Sequence, residues 1–191
     1  MTGIIILAAG SSSRMGTAKQ NLVFKGQTLL QNAVNTAVAS KVDRVAVVLG
    51  ANAELILDTI KDKTLNILIN KDWEAGMGTS ISYGVSELLK LEPKLSSVLF
   101  MLTDQPFVDA YFINSLIDQA LPGKIIASAY KDTLGPPVLF DQVFFDDLLK
   151  MNGNDGAKKV IQKHLEAVIE TPFALGAFDI DTPEDYNRLS D

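Results

Sequence analysis

The sequence predicts an α/β fold with a mostly parallel sheet, and three observations carry that prediction. Apolar runs rich in Ile, Val and Leu recur at strand length, and none alternates cleanly with polar residues, the pattern of strands covered on both faces. Segments with apolar residues at helical spacing lie between them. Run and segment then alternate along the chain, as they do where helices cross over between parallel strands.

The runs are "IIILAA", "RVAVVLG", "LNILIN", "SVLFML" and "KIIASA". The first helical segment, "TLLQNAVNTAVAS", sets Leu29, Leu30, Ala33, Val34, Ala37 and Val38 on one stripe. Thr28 and Gln31 have the spacing of a capping box at its start. "AELILDTIKDK", "TSISYGVSELLKL" and "VDAYFINSLIDQAL" read as further helices. So does "GAKKVIQKHLEAV", with Lys158, Lys159 and Lys163 on a solvated face and His164 at the surface or the helix end. "LGPPVLF" reads as an irregular lead-in to a strand, and no repeat or linker interrupts the chain. The 191 residues fit one domain over 1–191.

Composition excludes several functions. The formal net charge of −6 disfavours nucleic acid, whose binding rests on a basic surface, but leaves room for a small anion held by local cations. The absence of cysteine excludes disulfides, thiolate metal sites and cysteine nucleophiles. The amino terminus runs directly into "IIILAAG", without a basic leader and too short to span a membrane, so a cytoplasmic protein is expected.

Ligands of open α/β sheets bind beyond the carboxyl ends of the strands. "LAAGSSSRMGTAK" falls there, after the first run. Glycine lets backbone approach a ligand, and successive N–H groups cradle anions, which suits Gly10 and the serines. Arg14 can fork onto phosphate oxygens and Lys19 adds a point charge. The spacing is neither a Walker A loop nor G-x-G-x-x-G, so this is a phosphate loop of another design, or an ordinary Gly/Ser turn with solvated charges.

Asp104 follows a buried run in "FMLTDQPF", and Asp179 and Asp181 lie two apart in "FDIDTPEDY". Carboxylates converging on a phosphate cradle suit Mg²⁺, which takes one or two carboxylates plus substrate phosphates. Singly, Asp104 also reads as a turn residue, and Asp181 or Thr182 as the cap of a helix starting at Pro183. In "NKDWEAGMGTSISYG", Gly76 and Gly78 precede a helix whose first N–H groups can read the acceptors of a base or sugar. Trp73 in that stretch reads as a packing residue.

Together these stretches resemble nucleotidyltransferases of the Rossmann-like three-layer sandwich, the nucleotide-diphospho-sugar transferase type. "LAAGSSSRMGTAK" is similar to their Leu-Ala-(Ala/Gly)-Gly-x-Ser-x-Arg-Met-Gly-x-x-Lys signature, "GMGTS" to their second glycine segment and "LTDQP" to their metal-binding acid motif. "GPPVLF", "GNDGAKKVI" and "DIDTPEDY" look like the closing motifs of the molybdenum cofactor guanylyl- and cytidylyltransferases, the MobA and MocA type. The matches run from Leu7 to Tyr186.

The resemblance implies that Gly10, Ser12, Arg14 and Lys19 hold the triphosphate. Ala8, Ala9, Gly78, Thr79 and Ser80 would border the base, and Asp104 and Asp181 would ligate Mg²⁺. Ala9 stands where the guanylyl branch has glycine, so CTP is the favoured nucleotide. Gly135, Pro137, Lys158 and Asp179 fall on the acceptor side, where the implied acceptor is molybdopterin and the implied partner a molybdoenzyme or its chaperone. There the chain departs from the branch: Gly135-Pro136-Pro137 replaces Gly-His-Pro, and Asn154 and Lys158 replace an acid and an arginine. Other readings are a sugar- or polyol-phosphate nucleotidyltransferase on the same fold and a non-catalytic nucleotide or cofactor binder. A NAD(P)-binding domain lacks its glycine spacing.

Overall fold

The computed structural model describes residues 1–12, 15, 17–57, 59–60 and 65–189. In chain order the strands and helices are β1 (Thr2–Ala8), β2 (Val23–Phe24), β3 (Gln27–Thr28), α1 (Leu29–Val38), β4 (Arg44–Leu49), α2 (Ala53–Leu57), β5 (Leu65–Ile69), α3 (Met77–Leu91), β6 (Ser97–Leu102), α4 (Ala110–Asp118), β7 (Ile125–Tyr130), β8 (Thr133–Asp141), α5 (Phe145–Leu149), α6 (Ala157–Lys163), β9 (Val168–Pro172) and α7 (Pro183–Asn187).

Seven strands form one sheet in the order β5-β4-β1-β6-β8-β7-β9. β1 pairs in parallel with β4 and β6, β4 with β5, and β7 with β9, whereas β8 runs antiparallel to both its neighbours. The mostly parallel sheet is therefore as expected. Successive residues of β1 divide between two cores. Ile5 and Leu7 pack with Ile81, Val85 and Leu88 of α3 and with residues of α5 and α6. Ile4, Ile6 and Ala8 pack with Leu30, Val34 and Ala37 of α1, Ile56 of α2 and Ile113 and Leu116 of α4. Helices thus cover both faces, and the central strands carry no polar alternation because neither face meets water.

Local signals behave as read in most places. Thr28 caps α1, its hydroxyl accepting from the Gln31 amide while the Gln31 side chain accepts from the Thr28 amide. Val38 is a correction: it is exposed, because it lies about 100° round the helix from the buried Ala37. The helix expected over 156–168 is another correction. It stops at Lys163, and Val168 to Pro172 join the sheet as β9 beside β7. Sheet pairing there overrides a helical pattern that β-branched Val168, Ile169 and Thr171 only weakly support. Part of the segment expected to extend α2 lies outside the described residues.

Prolines disfavour an interior strand, yet β8 contains two. Its register with β7 jumps from Ser128–Gly135 to Ala127–Val138, and its pairing with β6 begins at Val138. Pro136 and Pro137 fall in the skipped stretch, where no ladder N–H is needed. Among the described residues no helix is long and apolar enough to cross a membrane.

Candidate active site

β1 and β6 are parallel neighbours, so the segments that leave them emerge on the same side of the sheet. The loop after β1, the turn after β6, the start of α3 and the segment before α7 together line a cleft of about 560 Å³. Ala8, Ala9, Gly10, Ser12, Lys19, Ser80, Asp104 and Asp181 all reach it. Arg14 lies outside the described residues.

The loop after β1 is folded around Gln20, which is buried. Its side-chain amide donates to the carbonyls of Ala8 at 2.9 Å and Gly10 at 3.1 Å. In a trans peptide C=O and N–H point opposite ways, so the N–H of Ser11, which shares the Gly10 peptide, faces away from Gln20. The Ser12 hydroxyl accepts from the Lys19 amide at 3.1 Å, tying the loop's two ends together. Among the described residues, a side chain at Gly10 would meet nothing within 4 Å. Packing among those residues therefore does not demand glycine there, and open space beside backbone is what an anion cradle requires.

Lys19 forms the floor. Its Nζ donates to Asp104 Oδ2 at 2.7 Å and to Asp181 Oδ1 at 3.0 Å. Burial alone would lower the ammonium's pKa, but the two carboxylates outweigh it and hold Lys19 above its ordinary value. The Ile180 amide donates to the Asp104 carbonyl at 3.0 Å and so brings the C-terminal segment to the end of β6. Thr182, rather than Asp181, caps α7, its hydroxyl accepting from the Asp185 amide. Asp181 is thereby left to face Lys19.

A divalent cation fits this floor. Asp104 Oδ1 is buried and has no hydrogen-bond partner among the described residues. The Lys19 ammonium already marks a point of high affinity for positive charge between two carboxylates. Among the described residues no group of three or more acids or histidines is disposed to hold a metal by protein ligands alone. Asp104 and Asp181 would thus share the ion with phosphate oxygens and water.

The glycine segment before α3 works differently from its reading as a base-contacting edge. The Gly78 amide donates to the Gly153 carbonyl at 2.9 Å. A side chain at Gly76 would lie 2.2 Å from that carbonyl oxygen, and one at Gly78 2.4 Å from the Asn152 carbonyl oxygen. Both glycines seat the 152–154 loop against the helix start. The Thr79 hydroxyl donates to nearby backbone carbonyls, and Asn70, one residue past β5, donates to both the Thr79 and Ser80 hydroxyls at 3.0 Å. Of the five residues expected to border the base, Ala8, Ala9 and Ser80 line the cleft and Gly78 and Thr79 do not; Trp73, Glu74, Met77 and Asn154 join them there. Gln20 and Asn70 escaped the sequence reading because their partners are backbone or residues of another element, for which no spacing signal exists.

On the acceptor side, Gly135, Pro137, Lys158 and Asp179 do not line the cleft. The Pro137 carbonyl accepts from the Ser128 hydroxyl, and Lys158 donates to Thr133. Asp179 is pushed up to about 6 by burial and by the charges of Asp104 and Asp181. His164 sits at the end of α6 with Nε2 2.7 Å from Asp147 Oδ2, a partner from α5 that sequence spacing could not reveal.

Residues 4–168 match the family model described as the MobA-like NTP transferase domain. The chain is 30% identical to the purine catabolism protein PucB of Bacillus subtilis, over 97% of its own length and 94% of that protein's. It is 31% identical to the nicotine blue oxidoreductase of Paenarthrobacter nicotinovorans, over 73% of its length and 66% of the other's. The crystal structure of Rv0371c from Mycobacterium tuberculosis superposes with a TM-score of 0.85 at 27% identity, covering 98% of this chain and 96% of that one. A second structure of Rv0371c, in complex with manganese, superposes at 0.81 with 25% identity over 98% of this chain and 97% of that one. The fold is accordingly of the nucleotide-diphospho-sugar transferase type. With a cleft built on β1 and β6 and a family match spanning most of the sequence, the chain belongs to the MobA-like NTP transferase family.

Proposed function

We propose that residues 1–191 act as one nucleotidyltransferase domain that moves CMP from CTP onto a phosphorylated acceptor, molybdopterin being favoured, with Mg²⁺ as the metal. The observation that carries this is the Lys19 ammonium held between Asp104 and Asp181, on the floor of a cleft bordered by the Gly10–Ser12 loop. The triphosphate lies along that loop, its oxygens receiving backbone N–H groups, with Arg14 on the β- and γ-phosphates. An oxygen of the acceptor's terminal phosphate attacks the α-phosphorus in line, the bond to the bridging oxygen breaks, and pyrophosphate leaves with the electron pair. That oxygen is already ionised, so no strong base is required, and positioning with charge neutralisation dominates. Lys19 neutralises the α-phosphate as charge shifts toward the leaving group. Mg²⁺, held by Asp104 and Asp181, would add charge neutralisation on the phosphate oxygens.

Ala9 is among the residues that line the cleft, at a position where glycine would leave more room, which favours a pyrimidine over a purine. The product would pass to a molybdoenzyme or its chaperone. Pyrophosphate release from CTP, GTP and ATP, with Mg²⁺ and with or without molybdopterin, tests the whole proposal. Release from CTP that requires molybdopterin supports it. Tight triphosphate binding without release under any of these conditions rules out molybdopterin as the acceptor.

A further inference from the structure

Lys19, Asp104 and Asp181 reach one point from three separate segments, and each segment also carries a phenylalanine a few residues away. Phe24 follows Lys19 along the chain, Phe107 follows Asp104, and Phe178 precedes Asp181. The three rings meet. Phe107 stands between the other two, its centroid 5.7 Å from that of Phe24 and 5.6 Å from that of Phe178. The interplanar angles are 83° and 77°, so both contacts are edge-to-face, with the positive rim of one ring on the negative face of the next.

Among the described residues, the two cores that hold the helices on the sheet include none of these rings. Phe178 is 54% exposed. The folding drive therefore lies elsewhere, and what this satellite cluster decides is where three segments sit. Hydrogen bonds bring the segments together in pairs. The Ile180 amide donates to the Asp104 carbonyl at 3.0 Å, and the Gln105 side chain to the Gly176 carbonyl at 3.2 Å. The Tyr186 hydroxyl donates to the Val23 carbonyl at 2.7 Å. Phe107 is where the β2 segment meets both of the acid-bearing segments at once.

We propose that Phe107, clasped between Phe24 and Phe178, is a positioning residue that sets the spacing of Lys19, Asp104 and Asp181. Its effect on turnover rests on the nucleotidyl-transfer reading; the placement itself does not. An ammonium shared by two carboxylates at 2.7 and 3.0 Å tolerates little displacement. A shift of about 1 Å at a reacting centre costs about 10²-fold in rate.

The test is Mn²⁺ uptake by the full chain with a non-hydrolysable CTP analogue, read from the electron paramagnetic resonance of the free ion. The temperature is one at which circular dichroism shows every variant folded. Phe107→Ala should weaken Mn²⁺ binding by about 10–100-fold, the scale for losing a group that orients metal ligands. Metal-free affinity for the CTP analogue should change by less than about threefold, because Gln20 holds the Gly10 loop independently of the rings. In turnover, kcat should fall and KM for CTP should not. Phe178→Ala removes a half-exposed ring, leaves both cores intact and should act in the same direction, which keeps the test open if Phe107→Ala does not fold. Phe107→Tyr keeps the ring and should restore Mn²⁺ binding. Leu116→Ala, in the second core, should lower the melting temperature without changing Mn²⁺ uptake. Wild-type Mn²⁺ affinity in both ring-to-alanine variants, or an equal loss in Leu116→Ala, would overturn the proposal. If the wild type takes up no Mn²⁺, the metal reading fails instead, and amide exchange at Ile180 decides the clasp. Exchange about tenfold faster in both ring-to-alanine variants retains it, and unchanged exchange overturns it.

Discussion

Asp104 and Asp181 approach one ammonium from positions far apart in the chain, at 2.7 and 3.0 Å from Lys19 Nζ. Removing the ammonium leaves two half-buried carboxylates facing each other, with the charge on the α-phosphate unmatched. Lys19→Met should lower kcat by about 10²–10³, the scale of losing one preorganised electrostatic partner, in a steady-state assay. Asp104→Ala should abolish turnover with the circular dichroism spectrum unchanged, because its buried oxygen belongs to the cleft and not to either core. Asp179 gives a pH signature. Its carboxyl is raised from 3.8 to about 6 in the folded protein, so between those values the folded state binds more protons than the unfolded one. Stability contributed by this group therefore falls as pH rises through that window. Asp179→Asn should melt higher than wild type at about pH 7.5, with the difference closing below about pH 4. A variant that melts lower at neutral pH would contradict the assigned cause.

At the scale of elements, the two ends of the cleft are secured by different means. The loop after β1 is held by the Gln20 side chain, bonded to the Ala8 carbonyl at the strand end and the Gly10 carbonyl in the loop, and by the Ser12 hydroxyl on the Lys19 amide. Gln20→Leu should raise KM for the nucleotide while leaving the sheet intact, since the loop loses its shape and the strand does not. The start of α3 depends on close backbone contact instead. Gly78→Ala would force its new carbon against Asn152 backbone atoms 2.4 to 2.7 Å away, which cannot rotate aside. Overpacking of that kind costs about 1–3 kcal/mol, and the 152–154 loop should separate from the helix, read as faster amide exchange there. The cap of α1 supplies a control far from the cleft. Thr28→Ala should cost about 1 kcal/mol of stability in urea unfolding without altering nucleotide affinity.

For the whole molecule, the sheet is what makes a site out of separated motifs. Loops following parallel strands all emerge at one edge, which puts residues 8–12, 103–104 and 181 within one cleft. Within the seven-stranded sheet β8 runs antiparallel to its neighbours β6 and β7, and its bulge is where Pro136 and the Gln105 amide meet. Phe100, fully buried on β6 against Phe140 of β8, links the two halves of the sheet. Phe100→Ala should cost about 3–5 kcal/mol. It should also lower nucleotide affinity, although Phe100 touches no ligand, because Asp104 is carried on the end of the same strand.

The sequence by itself determined the alternating α/β architecture and the capping box at Thr28, and it singled out the loop after the first strand, Asp104 and Asp181 as candidates for one site. Those features are written in local periodicity, turn chemistry and residue type, which require no knowledge of distant contacts. Tertiary structure alone decided that Gln20 organises the loop, that Gly76 and Gly78 serve the 152–154 loop, and that Val168–Pro172 is a strand. It also decided that Gln105 is bonded to the Pro136 and Gly176 carbonyls. Each depends on a partner brought near by the sheet, and glycine and glutamine have the same local signal whether or not that partner is there. The helical pattern through Val168 yielded to sheet pairing for the same reason: a free edge beside β7 offered more hydrogen bonds and burial than another turn of exposed helix.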